Sequence, residues 1–149
     1  MEKAARFLPP RVTCAVVRAA MNAVCTSTRF GAIAPRACPF CLAPACDNLS
    51  HFASCTSIVT IINSVSHNPP SRWNDTRDLR IFLTIDAQNL REFTYHALVL
   101  DITLAGYNNL IHENIHSEAA FLDLATGRIR NWAVYSARMR NIVRELFKI

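Results

Sequence analysis

The sequence predicts a mostly α-helical protein with a small Cys₃His zinc knuckle near its N-terminal third. Three observations carry this reading. The 149 residues include only 3 glycines. Apolar residues recur three and four apart over long stretches, the period of an amphipathic helix. Between Cys38 and Cys55, a C-x₂-C pair is followed by a histidine and a cysteine four apart. The length suits a single domain, 1–149, divided into an N-terminal helix (1–30), a knuckle with its helix (31–67) and a helical bundle (72–149).

Each element has its own signal. Pro9 and Pro10 suit a first helical turn, where their missing N–H groups cost nothing. Val12, Ala15, Val16, Ala19, Ala20 and Ala23 then give an apolar face, predicting a helix to about Thr26. Cys14 and Cys25 read as core filler. Asp47 or Asn48 can cap a second helix, which Ile58, Val59, Ile62 and Val65 extend towards His67. Asn68-Pro69-Pro70-Ser71 ends it. In the following loop Trp73 folds back onto the core, or offers its ring to a nucleic acid base. Thr76 or Asp75 can cap a short helix with Leu79, Phe82, Leu83 and Asp86. Asn89 and Glu92 form a capping-box variant at the start of a long helix to His116, with Phe93, Ala97, Leu100, Leu104, Tyr107, Ile111 and Ile115 on one face. This is the expected central helix. Thr126-Gly127 punctuates the chain, and a last helix is predicted from about Arg128 to Phe147. Its inward stripe is Ile129, Trp132, Ala133, Ser136, Met139, Val143 and Leu146. Leu100, Leu104 and Tyr107 are expected to face it around Trp132 and Met139.

The cysteine-rich stretch carries the chemistry. Cys38 and Cys41 converge their sulfurs across the turn Pro39-Phe40. His51 and Cys55 lie one helical turn apart, on one face. Together they are a closed tetrahedral set for structural Zn²⁺, with donor atoms expected within roughly 4 Å of one another. Buried structural cysteines would account for one or two of these residues more readily than for four at ligand spacing. Cys46 stands as an alternative to His51 or Cys55.

The run Cys38-Pro39-Phe40-Cys41 followed by His51-Phe52-Ala53-Ser54-Cys55 resembles the zinc-binding region after the polymerase domain in reverse transcriptases of non-LTR (LINE-like) retroelements. The segment Phe7-Leu8-Pro9-Pro10-Arg11-Val12, through Asn22 to Arg29-Phe30, resembles the helix before that finger in protist versions. The likeness spans roughly residues 7–56. It implies a non-catalytic accessory module that binds retroelement RNA or target DNA. No Tyr-x-Asp-Asp polymerase motif occurs, so by this resemblance the chain is the appendage without the polymerase, standing alone or truncated.

Charge points the same way. The net charge is +5, and only Lys3 and Lys148 are lysines. Arginine suits planar, bidentate partners such as phosphate. Arg29 and Arg36 flank the knuckle and are the first candidates for phosphate contacts. Arg130, Arg138 and Arg144 on the last helix are the second, and Phe40 offers a stacking ring. As a solvated face, such a row would be ordinary. All six cysteines lie in the first 55 residues without a signal-peptide pattern, which argues for a reducing, nuclear or cytoplasmic setting and for metal over disulfides. Five arginines and no acid between Arg6 and Arg36 also describe a mitochondrial transit peptide. No apolar run reaches the ~18 residues that span a bilayer. No membrane and no small-molecule substrate are expected.

His112-Glu113-Asn114-Ile115-His116 matches H-E-x-x-H, which on a helix pairs two imidazoles with a glutamate that activates metal-bound water. A third ligand with distinctive spacing is missing, and a polar helix end accounts for the same residues. No phosphate-cradling glycine loop and no nucleophile elbow occurs. A small metallopeptidase and a zinc-stabilised protein-interaction module are therefore the rivals to nucleic-acid binding.

Overall fold

A computed structural model describes residues 8–24, 26–27, 34, 36–70, 79–84, 87–113 and 117–148. Among these residues there are seven helices: α1 Pro10–Ala20, α2 Leu49–Ser54, α3 Thr56–Val65, α4 Leu79–Phe82, α5 Leu90–Glu113, α6 Glu118–Ala133 and α7 Ala137–Leu146. The described residues contain no strand, only an isolated antiparallel bridge between Ser66 and Phe147. One apolar cluster draws side chains from all seven helices. The protein is mostly α-helical, as its glycine-poor, periodic sequence predicts.

The helix ends show local chemistry at work. Pro10 opens α1, which stops at Ala20, well before Thr26. Asn22 takes a left-handed φ of 51°. The N–H of Asn22 bonds the Ala19 carbonyl, and that of Ala23 bonds the Arg18 carbonyl. This is a Schellman stop, with asparagine where glycine is usual. Cys14 lies exposed on α1 and fills no core. Asn48, rather than Asp47, caps α2, its Oδ1 accepting from His51 N at 2.8 Å. At Cys55 ψ swings to 121°, which separates α2 from α3. The caps that the sequence assigns to a short helix, Asp75 and Thr76, and Trp73 beside them, lie outside the described residues.

α5 is the central helix. Every residue from Thr94 to Tyr107 is buried, which an amphipathic stripe alone would not achieve. Its start is the expected capping box displaced by one residue. Asn89 Oδ1 accepts from Glu92 N at 2.9 Å, but the Glu92 carboxylate reaches back to Gln88 N at 2.7 Å. α5 packs on α1 and α6, and α6 also packs on α3 and α7.

The expected helix from Arg128 to Phe147 is two helices. α6 starts at the Ser117 cap and runs straight through Thr126-Gly127. A glycine inside a helix costs about 1 kcal/mol, and Phe121, Ala125, Ile129 and Trp132 bury a continuous stripe past it. The break falls at Val134–Ser136 instead. Ser136, read as part of an inward stripe, is the α7 cap and accepts from Met139 N at 3.1 Å. After α7, Phe147 stacks on Tyr95 with centroids 5.5 Å apart. The Tyr95 hydroxyl bonds Ser66 at 2.8 Å, and Lys148 N bonds the Val65 carbonyl at 2.8 Å. The chain's last turn is thereby strapped to the end of α3.

Asp101 sits midway along α5 with its side chain 7% exposed, 3.6 Å from Arg128 of α6 and 3.9 Å from Arg11 of α1. Burial pushes its carboxyl above the usual carboxylate range, and the two guanidiniums pull it back. The sign follows from linkage. With the folded value raised, the folded state takes up a proton before the unfolded state does, so acidification through that range favours folding at this site. We predict that Arg128→Met destabilises the protein by about 1–3 kcal/mol at neutral pH, by stranding a buried acceptor. The deficit relative to wild type should shrink as pH is lowered and Asp101 protonates. Parallel pH profiles of chemical denaturation check this, and a deficit that does not vary with pH would contradict it.

Candidate metal centre

The knuckle is built from backbone turns. Leu42 N donates to the Cys38 carbonyl at 2.8 Å, and Cys38 N to the Ala43 carbonyl at 2.9 Å. Leu42 and Ala45 take left-handed φ values of 61° and 55° to close the loop. These turns hold Cys38 and Cys41 on one side of a small volume, and α2 with the residue that follows it brings His51 and Cys55 to the other. The donor atoms of Cys38, Cys41, His51 and Cys55 all lie within 4.8 Å of one another. Cys38 and Cys55 sulfurs are 3.9 Å apart, and Cys41 Sγ is 3.2 Å from His51 Nε2. Ligands held at ~2.0–2.3 Å from a tetrahedral ion stand about 3.5–3.8 Å from each other. These two pairs bracket that range, and the set as a whole is slightly more open than the roughly 4 Å expected. Cys46 stays outside the group.

The sequence argument for pairing His51 with Cys55 was a shared helical face. The structure brings them together by another route. Cys55 is not helical but is the residue between α2 and α3, and serves as the N-cap position of α3. Its sulfur stands at the N-terminal, positive end of that helix without a side-chain cap bond to it. Hydrogen bonding from Cys38 is the larger influence and lowers the Cys55 thiol, while the same bond, with burial, raises Cys38. Metal ligation needs deprotonated thiols, so a cation at the centre would displace the protons these sulfurs carry.

Two supporting residues were not legible as such. Asp47, fully buried, accepts from Ser27 N at 2.8 Å and from the Tyr107 hydroxyl at 3.3 Å. Its own N–H donates to the Arg36 carbonyl at 3.1 Å. The residue read as an alternative helix cap instead bolts the knuckle to α5. Tyr107 accordingly faces the knuckle, its ring 5.4 Å from Phe52, and not the last helix. Gly106 is the second. A Cβ there would meet Phe121 at 2.6 Å and Phe40 at 3.2 Å. The bare backbone lets both rings close onto α5.

The sequence-nominated nucleic-acid residues are spread apart. Arg29 lies outside the described residues. Arg36 is exposed beside the knuckle. Phe40 is half-buried, with its ring centroid 5.5 Å from Phe52 and 5.1 Å from Phe121, so two neighbours already occupy much of it. Arg130, Arg138 and Arg144 are all exposed, but the first is on α6 and the others on α7, so they form no single helical row. Of the H-E-x-x-H pentapeptide, His112 is exposed on the last turn of α5, and residues 114–116 lie outside the described residues. No described helix is long and apolar enough to cross a membrane. Comparison of the chain with protein-family models, curated proteins and solved structures gives no match.

We predict that Gly106→Ala lowers stability by about 1–2 kcal/mol, because overpacking outweighs the gain in helix propensity. Phe121→Leu in the same chain should restore part of the loss. A Gly106→Ala protein with a raised melting temperature would show that the Phe121 ring can swing clear. Phe40→Ala should cost about 3 kcal/mol of stability, from the emptied space between Phe52 and Phe121.

Proposed function

We propose that the chain is a zinc-stabilised module that binds nucleic acid through its arginines and does not itself catalyse a reaction. The observation that carries the metal half is the convergence of three sulfurs and one imidazole nitrogen within 4.8 Å. A closed Cys₃His set leaves no position for a substrate or water, which favours a structural over a catalytic role. Thiolate-rich tetrahedral sites select zinc among the abundant divalent ions. Cys38, Cys41, His51 and Cys55 would hold it, and its contribution would be to cross-link the knuckle to the start of α3.

The nucleic-acid half is supported by the +5 net charge, carried almost wholly by arginine, and by the exposure of Arg36, Arg130, Arg138 and Arg144. The likeness of the knuckle to the finger of non-LTR reverse transcriptases favours RNA or target DNA as the ligand. A nuclear or cytoplasmic location fits this role.

The protein purified without added metal should carry one zinc per chain by elemental analysis. Cys38→Ser, or chelation, should lower the melting temperature markedly, since metal binding and folding are coupled. Zinc-free protein whose unfolding is unchanged by chelator would overturn the metal assignment. For nucleic acid, affinity should fall with salt at a slope of about −0.7 to −0.9 per phosphate contact. Arg29→Ala with Arg36→Ala should flatten that slope by nearly two such steps while leaving the fold intact. A slope unchanged in the double variant would remove these two arginines from the interface.

A further inference from the structure

The corner between α6 and α7 combines exposed apolar side chains with several exposed arginines. The chain leaves α6 at Val134 and enters α7 after Ser136. Tyr135 N donates to the Trp132 carbonyl at 3.1 Å, and Ser136 caps the next helix. These bonds fix the turn, yet its two large side chains point outward, Val134 at 75% and Tyr135 at 49% exposure. Arg130 precedes the corner, and Arg138, Arg140 and Arg144 follow it, all exposed. No aspartate or glutamate occurs between Asp123 and Glu145.

Arg140 is placed rather than merely present. Its Nε donates to the Ala133 carbonyl at 3.3 Å, which brings the guanidinium to the end of α6, two residues from Tyr135. Only Nε is used in that bond, so both terminal nitrogens remain in the fork geometry that grips a phosphate. Three other arginines are occupied within the fold. Arg91 bonds Glu145 and the Asn68 carbonyl, and Arg11 and Arg128 flank Asp101.

We infer that this corner binds single-stranded nucleic acid, with a base stacked on Tyr135 and the adjacent phosphates held by Arg140 and its neighbouring arginines. The inference rests on the nucleic-acid reading above and assigns it a face and a strand state. A paired base keeps its faces inside the duplex, whereas an unpaired base offers one to an exposed ring, in any sequence. The restrained Arg140 side chain loses less freedom on binding than a mobile one.

The test uses fluorescence anisotropy of the full chain with a labelled pyrimidine oligonucleotide and with the same sequence as a duplex. Tyr135→Ala should weaken single-strand binding by roughly 5- to 100-fold with an unchanged salt slope, as expected for loss of one stacked base. Tyr135→Phe should bind like wild type. Arg140→Gln should reduce the slope by about 0.7, one phosphate contact on a single strand. Both side chains are exposed, so thermal unfolding should match wild type and rule out a folding effect. If wild type binds the single strand and Tyr135→Ala binds equally well, this inference fails while the nucleic-acid reading stands. Preference of wild type for the duplex also overturns it. If wild type binds neither at low salt, both fall together.

Discussion

A helical stretch buried on all sides, as α5 is from Thr94 to Tyr107, must place its polar side chains against partners, and several of those on α5 meet a different neighbour at each level. Near its start the Glu92 carboxylate takes the Gln88 N–H. One turn on, Tyr95 reaches Ser66 at the end of α3. In the middle Asp101 faces Arg11 and Arg128. Near the far end Tyr107 meets Asp47 below the knuckle. Thr94 and Thr103 turn back on their own helix, to the carbonyls of Leu90 and Val99. A polar group left unpaired there would cost about 1–3 kcal/mol, so each pairing fixes where one neighbouring element can lie. The polar ladder on α5 specifies the arrangement that its apolar surface merely favours.

The candidate metal centre depends on that ladder as well as on its four donors. Asp47 is the residue immediately after Cys46; its carboxylate joins the Ser27 turn and the Tyr107 hydroxyl, and its N–H bonds the Arg36 carbonyl. On the other side, Phe40 and Phe52 inside the Cys₃His segment pack against Phe121 and Tyr107. The knuckle is therefore continuous with the main core. That bears on what a metal would do here: it would cross-link a loop that packing already locates, in contrast to a small finger that has no core of its own.

How much of this was legible depended on the range of the interaction. The donor set could be read because ligand spacing is local and chemically specific. The central helix could be read because an apolar period over six turns outweighs competing signals. Glycine misled at position 127, where burial of Phe121, Ala125, Ile129 and Trp132 overrides a weak helix former. It was informative at position 106, but only through rings that are 15 and 66 residues away in sequence. Asp47 was equally opaque: beside Asn48 it looks like one of two caps, and only the fold shows that its partners are Ser27 and Tyr107. The Schellman stop at Asn22 left a faint trace, since asparagine is the residue that best replaces glycine there.

Electrostatics separates the two halves of the proposed function. A zinc ion bound by three thiolates and a neutral imidazole carries a net charge of about −1, so the knuckle would not attract phosphate by itself. The positive field must come from arginines, and the fold divides these by task. Arg11 and Arg128 neutralise a buried carboxylate, and Arg91 ties the start of α5 to α7. Removing any of these would perturb stability before it perturbed a surface. Arg36, Arg130, Arg140 and Arg144 make no ion pair among the described residues and stand in solvent. At low ionic strength such charges are only weakly screened, which is where a polyanion would gain most from them. Exposed arginines without an ion pair among the described residues, on a chain that sets two others against its buried Asp101, are the physical ground for looking to an anionic partner.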